Sequence, residues 1–284
     1  MNFIKKCIPF ILLVMLIITG CSSGEKASTS SNDNVKKIKV AYVQTAIPIT
    51  YQDDKGNATG YDVEAMKLVD ELLPDYEFEF VPTTDDDLLI GVENGKYNVG
   101  IKNAFYTDAR AEKYIYPKEN IGASNSGLIM RVEDKDIVHD LSDMAKLNKK
   151  LIPIAPQDAQ YSLVQAYNKE NPDNTLKIES SENFVVTEWP IWISEGRYDA
   201  WLGVKSVYTA TIESEDGPFH NLKDKLIYNG FTATKTYPLF NKKEQAFADA
   251  YDTAVVKLKE EGKLNELLVK FLGEDTFKML EENK

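Results

Sequence analysis

Arg110 closes the run Thr107-Asp108-Ala109-Arg110, and its guanidinium is the side chain in this sequence best suited to hold a small anion. A guanidinium offers two parallel N–H donors that match a carboxylate, and it stays charged at any relevant pH. Thr107 is a residue type that caps helices, so the run reads as a helix start whose free N–H groups also favour an anion. The residues alone leave a second reading open, in which Arg110 is an exposed helical side chain paired with Asp108 or Glu112. Other chemistry is scarce. Two histidines (His139 and His220) and two cysteines (Cys7 and Cys21) in 284 residues argue against a zinc site or a disulfide framework. With 33 basic against 45 acidic side chains, the net charge of −12 argues against a nucleic-acid binder, which needs a basic face. No cofactor is expected.

Cys21 carries a different chemistry. Lys5 and Lys6 form a short basic region, and Cys7 to Thr19 is uncharged but too short to span a bilayer comfortably. The run ends in Ile18-Thr19-Gly20-Cys21, which resembles a bacterial lipobox, where a peptidase cuts before the cysteine and the thiol carries diacylglycerol. An ordinary signal peptide or an uncleaved anchor is the plainer alternative. Residues 1–20 are therefore expected to be a lipoprotein signal peptide, and 21–35 a lipidated Cys21 with a flexible tether, since Ser22 to Asn34 holds little to pack. Processing would leave 31 bases against 45 acids, a net of −14, on a chain held to the extracytoplasmic face of a cell membrane.

The elements that must position Arg110 alternate between strand and helix periods. Ile38–Val43 and Tyr76–Val81 read as strands, and Tyr61–Leu73 as a helix with Val63, Met66, Val69 and Leu72 inward. Asp86–Asn94 reads as a short helix closed by Gly95, and Val99–Ile101 as part of another strand. A polar break at Val132–Asp140 precedes a second set: strand Leu151–Ala155, helix Ala159–Asn168, strand Leu176–Glu179, helix Glu182–Glu195 and strand Tyr198–Leu202. Residues 205 to 225 read as polar and irregular, and Glu244–Leu272 as two helices divided by Gly262. Such alternation gives an α/β architecture with helices on the faces of a sheet. A core of this size is supported by 43% hydrophobic and 11% aromatic residues.

Four blocks in order resemble family 3 solute-binding proteins, the extracellular receptors of polar amino-acid ABC transporters. They are PITYQDDKGNATGYDVEAMKLVDELL from Pro48, LLIGVENGKYNVGIKNAFYTDARAEKY from Leu88, EGRYDAWLGV from Glu195 and LKEEGKLNELLVKFLG from Leu258. The resemblance implies a two-lobed Venus-flytrap fold with two inter-lobe crossover strands. Lobe 1 would take 36–130 and 226–284, lobe 2 would take 131–225, and a hinge would close the cleft on ligand.

It also implies a site. Arg110 occupies the family's carboxylate-clamping position, and Asn103 a ligand-contacting strand end with Lys102 beside it. The turn Gln157-Asp158-Ala159-Gln160 stands where the family closes a hydroxyl turn over the carboxylate, so the acid Asp158 is out of place. It either caps the following helix or grips a ligand ammonium. The family's acid for that ammonium falls here at Gly203 or Val204, neither of which carries charge. Asp158 or Glu188 must then replace it, or the ligand is an amine-blocked amino acid, a small peptide or another carboxylate, because a buried unpaired ammonium is too costly. In the first turn Ala46 and Ile49 stand at aromatic positions, with Tyr51 nearby. Trp189, Trp192 and Trp201 are apolar walls or lobe-2 core, and one or two of Phe105, Tyr106, Tyr114 and Tyr116 line the cleft. Asp62 reads as structural, an acid in a helix's first turn, and Asp199 likewise.

The expected function is a monomeric, lipid-anchored receptor that captures an amino acid or related small carboxylate and delivers it to an ABC permease, with no catalysis. The alternatives are an enzyme like the cyclohexadienyl dehydratases, which share the fold, and a ligand sensor without transport.

Overall fold

The computed structural model describes residues 35–156, 158–180 and 188–282. The signal segment, Cys21, Gln157 and the first six residues of the helix expected over Glu182–Glu195 lie outside them.

The chain opens with β1 (Lys36–Val43), a three-stranded antiparallel sheet of β2 (Thr45–Ala46), β3 (Thr50–Gln52) and β4 (Ala58–Thr59), and then α1 (Tyr61–Leu72). Gly60 makes the entry to α1. It sits at φ 110°, and a Cβ there would collide with the Ile49 backbone, whose carbonyl accepts the N–H of Asp62 at 3.0 Å. Next come β5 (Tyr76–Thr83), α2 (Asp85–Asn94), β6 (Val99–Phe105), α3 (Asp108–Lys113) and β7 (Gly122–Arg131). The chain continues through α4 (Leu141–Lys146), α5 (Ala159–Glu170), α6 (Trp189–Ser194), β8 (Ala200–Val204), α7 (Lys205–Tyr208) and β9 (Leu226–Phe240). It ends with α8 (Gln245–Glu260), α9 (Lys263–Leu272) and α10 (Thr276–Glu282), with Gly262 at φ 72° breaking α8 from α9 as its lack of a side chain allows.

The main sheet has the order β5-β1-β6-β9-β7-β8. β1 pairs in parallel with β5 and β6, whereas β9 pairs antiparallel with both β6 and β7. β7 and β9 run beside each other from Gly122↔Thr236 to Arg131↔Leu226, and they are the two crossover strands. One core gathers at the β1 end, where Phe240 meets Phe247 and Tyr251 edge-on at 5.1 and 5.3 Å, contacts worth about 0.5–1.5 kcal/mol each beyond area burial. Separate clusters gather at the other end around Leu128, Met130 and Leu202 and around Ile129, Trp189 and Ile193. Between them the crossover is polar: Ser124, Asn125 and Ser126 are buried, and Ser126 Oγ lies 3.2 Å from Thr234 Oγ1.

Three expectations for the second lobe fail. Leu151–Ala155 forms a single bridge to Ala200, and Leu176–Glu179 forms no strand; Ile154 N–H reaches the Glu179 carbonyl at 3.0 Å, and among the described residues nothing extends the ladder. Pro153 and Pro156 lack the N–H groups a ladder needs. Residues 205–225 are helical in large part, because α7 and the turns after it bury Tyr208, Ile212 and Leu222. Among the described residues no helix is long and apolar enough to cross a membrane.

Candidate ligand-binding site

α3 places Arg110. Thr107 Oγ1 accepts the Arg110 N–H at 3.2 Å, which caps the helix as its residue type requires. The guanidinium is steadied by the strand that precedes its helix: Nη1 donates to the carbonyl of Phe105 at the end of β6 at 3.2 Å, which also accepts the Tyr116 hydroxyl at 2.8 Å. Burial pushes the Tyr116 hydroxyl up to about 12, so it stays a donor. Arg110 pairs with neither Asp108 nor Glu112, nor with any other acid among the described residues. Arg110 lines a cavity of about 440 Å³ together with Asp85, Lys102, Thr107, Tyr114 and Asp158. A neighbouring cavity of about 360 Å³ lies between the Tyr106–Ala109 turn and Pro156 and Ser162.

The cavity carries both signs of charge. Lys102 pairs with Asp85 at the start of α2; burial lowers its pKa and Asp85 pulls it back. Asp158 approaches from the residue before α5. Desolvation raises its carboxyl above the ordinary value, against the opposing pull of Arg110 and Lys102. It does not cap α5, since its carboxylate bonds no helix N–H. Next to it, Ala159 is buried against Phe105 and Val204, an apolar contact that joins the two ends of the molecule.

The other expected residues fall elsewhere. Asn103 sits at φ 56°, donating its N–H to Asp62 Oδ2 at 2.9 Å and accepting the Ser124 hydroxyl at 2.9 Å on its Oδ1. Tyr51 is half-buried on β3, between Thr45 and Thr59. Trp189 is not a cavity wall here: it is 3% exposed and stacks on Trp201 at 4.5 Å inside the second core. Arg197 lies over the Trp192 ring at 4.3 Å. Asp199 is structural, receiving Arg131 Nη2 and Lys150 N–H, each at 2.8 Å. Asp85 escaped the sequence reading because an Asp85-Asp86-Asp87 run after Thr84 looks like ordinary helix-start chemistry. Among the described residues no group of three His, Cys, Asp or Glu side chains is arranged to hold a metal.

A two-lobed α/β frame with a guanidinium that no acid pairs among the described residues, lining a cavity, defines a class of ligand-binding proteins. The model of the bacterial extracellular solute-binding proteins, family 3, matches residues 38–274, and the chain belongs to that family. It is 28% identical over 268 residues to the L-cystine-binding protein TcyJ of Bacillus subtilis, covering 93% of this chain and 95% of that one. Its fold matches the crystal structure of the probable amino-acid ABC transporter extracellular-binding protein ytmK of Bacillus subtilis with a TM-score of 0.65 at 24% identity, covering 85% and 99% of the two chains. A structure from work on glutathione import via GshT and the cystine importer TcyBC of Streptococcus mutans matches with a TM-score of 0.64 at 23% identity, covering 84% and 96%.

Proposed function

We propose that this chain is the receptor of an ABC importer for an amino acid of the cystine class, or a related small carboxylate, and that it acts as a binding protein without turnover. The observation that carries this reading is Arg110, a guanidinium with no acid partner among the described residues, lining a cavity that Asp158 reaches from the far side of the crossover strands. The relatives point the same way, TcyJ being an L-cystine-binding protein. The ligand's carboxylate lies on Arg110, the lobes close over it through the Phe105, Ala159 and Val204 contact, and the closed form docks on the permease as a monomer. Closure needs only that ligand bind the closed state better than the open one. Cys21 carries the lipid that tethers the receptor to the outer face of the cell membrane.

The test is thermal unfolding of the full chain with L-cystine, other α-amino acids and glutathione. A ligand at about 100 times its Kd stabilises the folded state by about 2.7 kcal/mol. A shift that Arg110→Ala abolishes supports the reading, and no shift with any of them sinks it. Mass spectrometry of the Cys21 peptide from bacterial membranes, with Cys21→Ser beside it, tests the anchor; an unmodified thiol overturns that part.

A further inference from the structure

The place at which the family resemblance puts an acid for the ligand's amine falls at Gly203 or Val204, and Val204 is 8% exposed and packed against Phe105 and Ala159. A residue enclosed by such neighbours supplies no charge. Asp158 supplies one beside it. Its carboxylate makes no hydrogen bond or ion pair among the described residues, although it lines the same cavity as Arg110 and Lys102. The other acids of that cavity are otherwise engaged: Asp85 with Lys102, Glu93 with Lys113 at 3.2 Å, and Asp86 in the first turn of α2, where its charge suits the dipole. Glu188 does not line it.

Opposite charges that share a cavity without touching leave room for a molecule that is itself bipolar. We propose that Asp158 accepts the ammonium group of a zwitterionic ligand whose carboxylate lies on Arg110. This rests on the receptor reading above and assigns the specificity of the same site. Asp158 also acts against the wrong ligand, because a carboxylate lacking an amine must lie near an uncompensated acid. Desolvation raises the Asp158 carboxyl, and a ligand ammonium beside it would add to the opposing pull of Arg110 and Lys102.

The test is calorimetric titration of the full chain and of Asp158→Asn and Arg110→Ala with two matched pairs of probes. These are L-cystine with dithiodipropionate, its counterpart lacking both amines, and L-histidine with imidazolepropionate. The unliganded melting temperature of Asp158→Asn should match or slightly exceed that of the parent, since among the described residues the carboxylate makes no hydrogen bond and burial disfavours its charge. The parent should prefer an amino acid over its deaminated counterpart by about 10- to 100-fold, the range a hydrogen bond between charged groups gives. Asp158→Asn should erase that preference while still binding carboxylate, and Arg110→Ala should lose both probes. If the parent prefers the amino acid and Asp158→Asn keeps that preference, the Asp158 assignment is overturned and the receptor reading stands. If the parent binds neither amino acid nor deaminated probe, both fall.

Discussion

Asp62 Oδ2 accepts the backbone N–H of Asn103 at 2.9 Å, and that bond ties the first turn of α1 to the one irregular step in β6. The β6–β9 register shifts between Gly100 and Ala104, and Asn103 takes φ 56°, a left-handed conformation that asparagine tolerates better than most residues. Asn103 Oδ1 then receives the Ser124 hydroxyl of β7. Helix, strand bulge and crossover strand are thereby linked in one chain of bonds next to the site. Asp62 is thus more than a charge in a helix's first turn.

The linkage has a cost that depends on pH. Asp62 is 1% exposed and its Oδ1 finds no partner among the described residues, and burial raises its pKa from 3.8 to about 7. A native carboxyl above its unfolded value holds a proton that the unfolded chain has lost, so this group's contribution falls as pH rises from about 4 to about 7. The full span is at most about 4 kcal/mol. Asp62→Asn keeps an acceptor for the Asn103 N–H and removes the ionisation. Its stability should lack that slope and match or exceed the parent at pH 8. Denaturant unfolding from pH 4 to 8 checks this; parallel curves for the two proteins would place the ionisation of Asp62 outside the stability balance.

Asn103 gives a second expectation. Asn103→Gly keeps access to φ 56° and loses the Ser124 bond, whereas Asn103→Ala loses both. Stability should fall in the order Asn, Gly, Ala, with Ala about 1–3 kcal/mol below the parent. Equal losses for Gly and Ala would mean that the left-handed conformation carries no weight.

What the sequence disclosed and what it hid follow from the same physics. α1 was legible because Val63, Met66 and Val69 repeat at helical spacing over one core. Arg110 was legible because a capping threonine three residues before it fixes a helix start. β7 was not, because its first half, Gly122-Ala123-Ser124-Asn125-Ser126, is small and polar and buried on both sides, so no alternation marks it. The second-lobe strands were overread because Ile152 and Ile154 alternate correctly around prolines that cannot join a ladder. Lys102 and Asp85 stand 17 positions apart, and only the fold brings them together.

Trp189 separates a packing role from a binding one. It is 3% exposed and stacked on Trp201, with Ile129, Ile152 and Ile193 in the same cluster. Trp189→Ala should therefore destabilise the protein by about 3–5 kcal/mol. Trp189→Phe should recover much of that and leave ligand affinity within about twofold. Calorimetric melting and titration of the two variants decide it: a lost affinity at unchanged melting temperature would make Trp189 a ligand contact after all.

Lys205 Nζ donates to Glu274 Oε2 at 2.8 Å, and this pair offers a handle on closure. Lys205 begins α7 just past β8, on the side of the second core, whereas Glu274 follows α9 of the first. The same glutamate receives Asn125 Nδ2 of β7 at 3.3 Å, and two residues on the Thr276 hydroxyl donates to the Ala123 carbonyl at 2.7 Å. The C-terminal segment is therefore strapped across the crossover and reaches the far lobe through one ion pair. With Lys205 side chain 38% and Glu274 20% exposed, solvent screens the pair, which is worth about 0.2–1 kcal/mol. Glu274→Gln should lower the closed-to-open ratio of the unliganded protein by up to about fivefold, and ligand affinity should fall by a related factor because only the closed fraction binds tightly. Thr276→Val, which keeps the ion pair and removes the strap's hydroxyl bond, should cost stability with a smaller effect on that ratio. Spin labels on the two lobes read the ratio, and titration reads the affinity. An unchanged inter-label distance distribution in Glu274→Gln would leave the pair as surface decoration and return control of closure to Phe105, Ala159 and Val204.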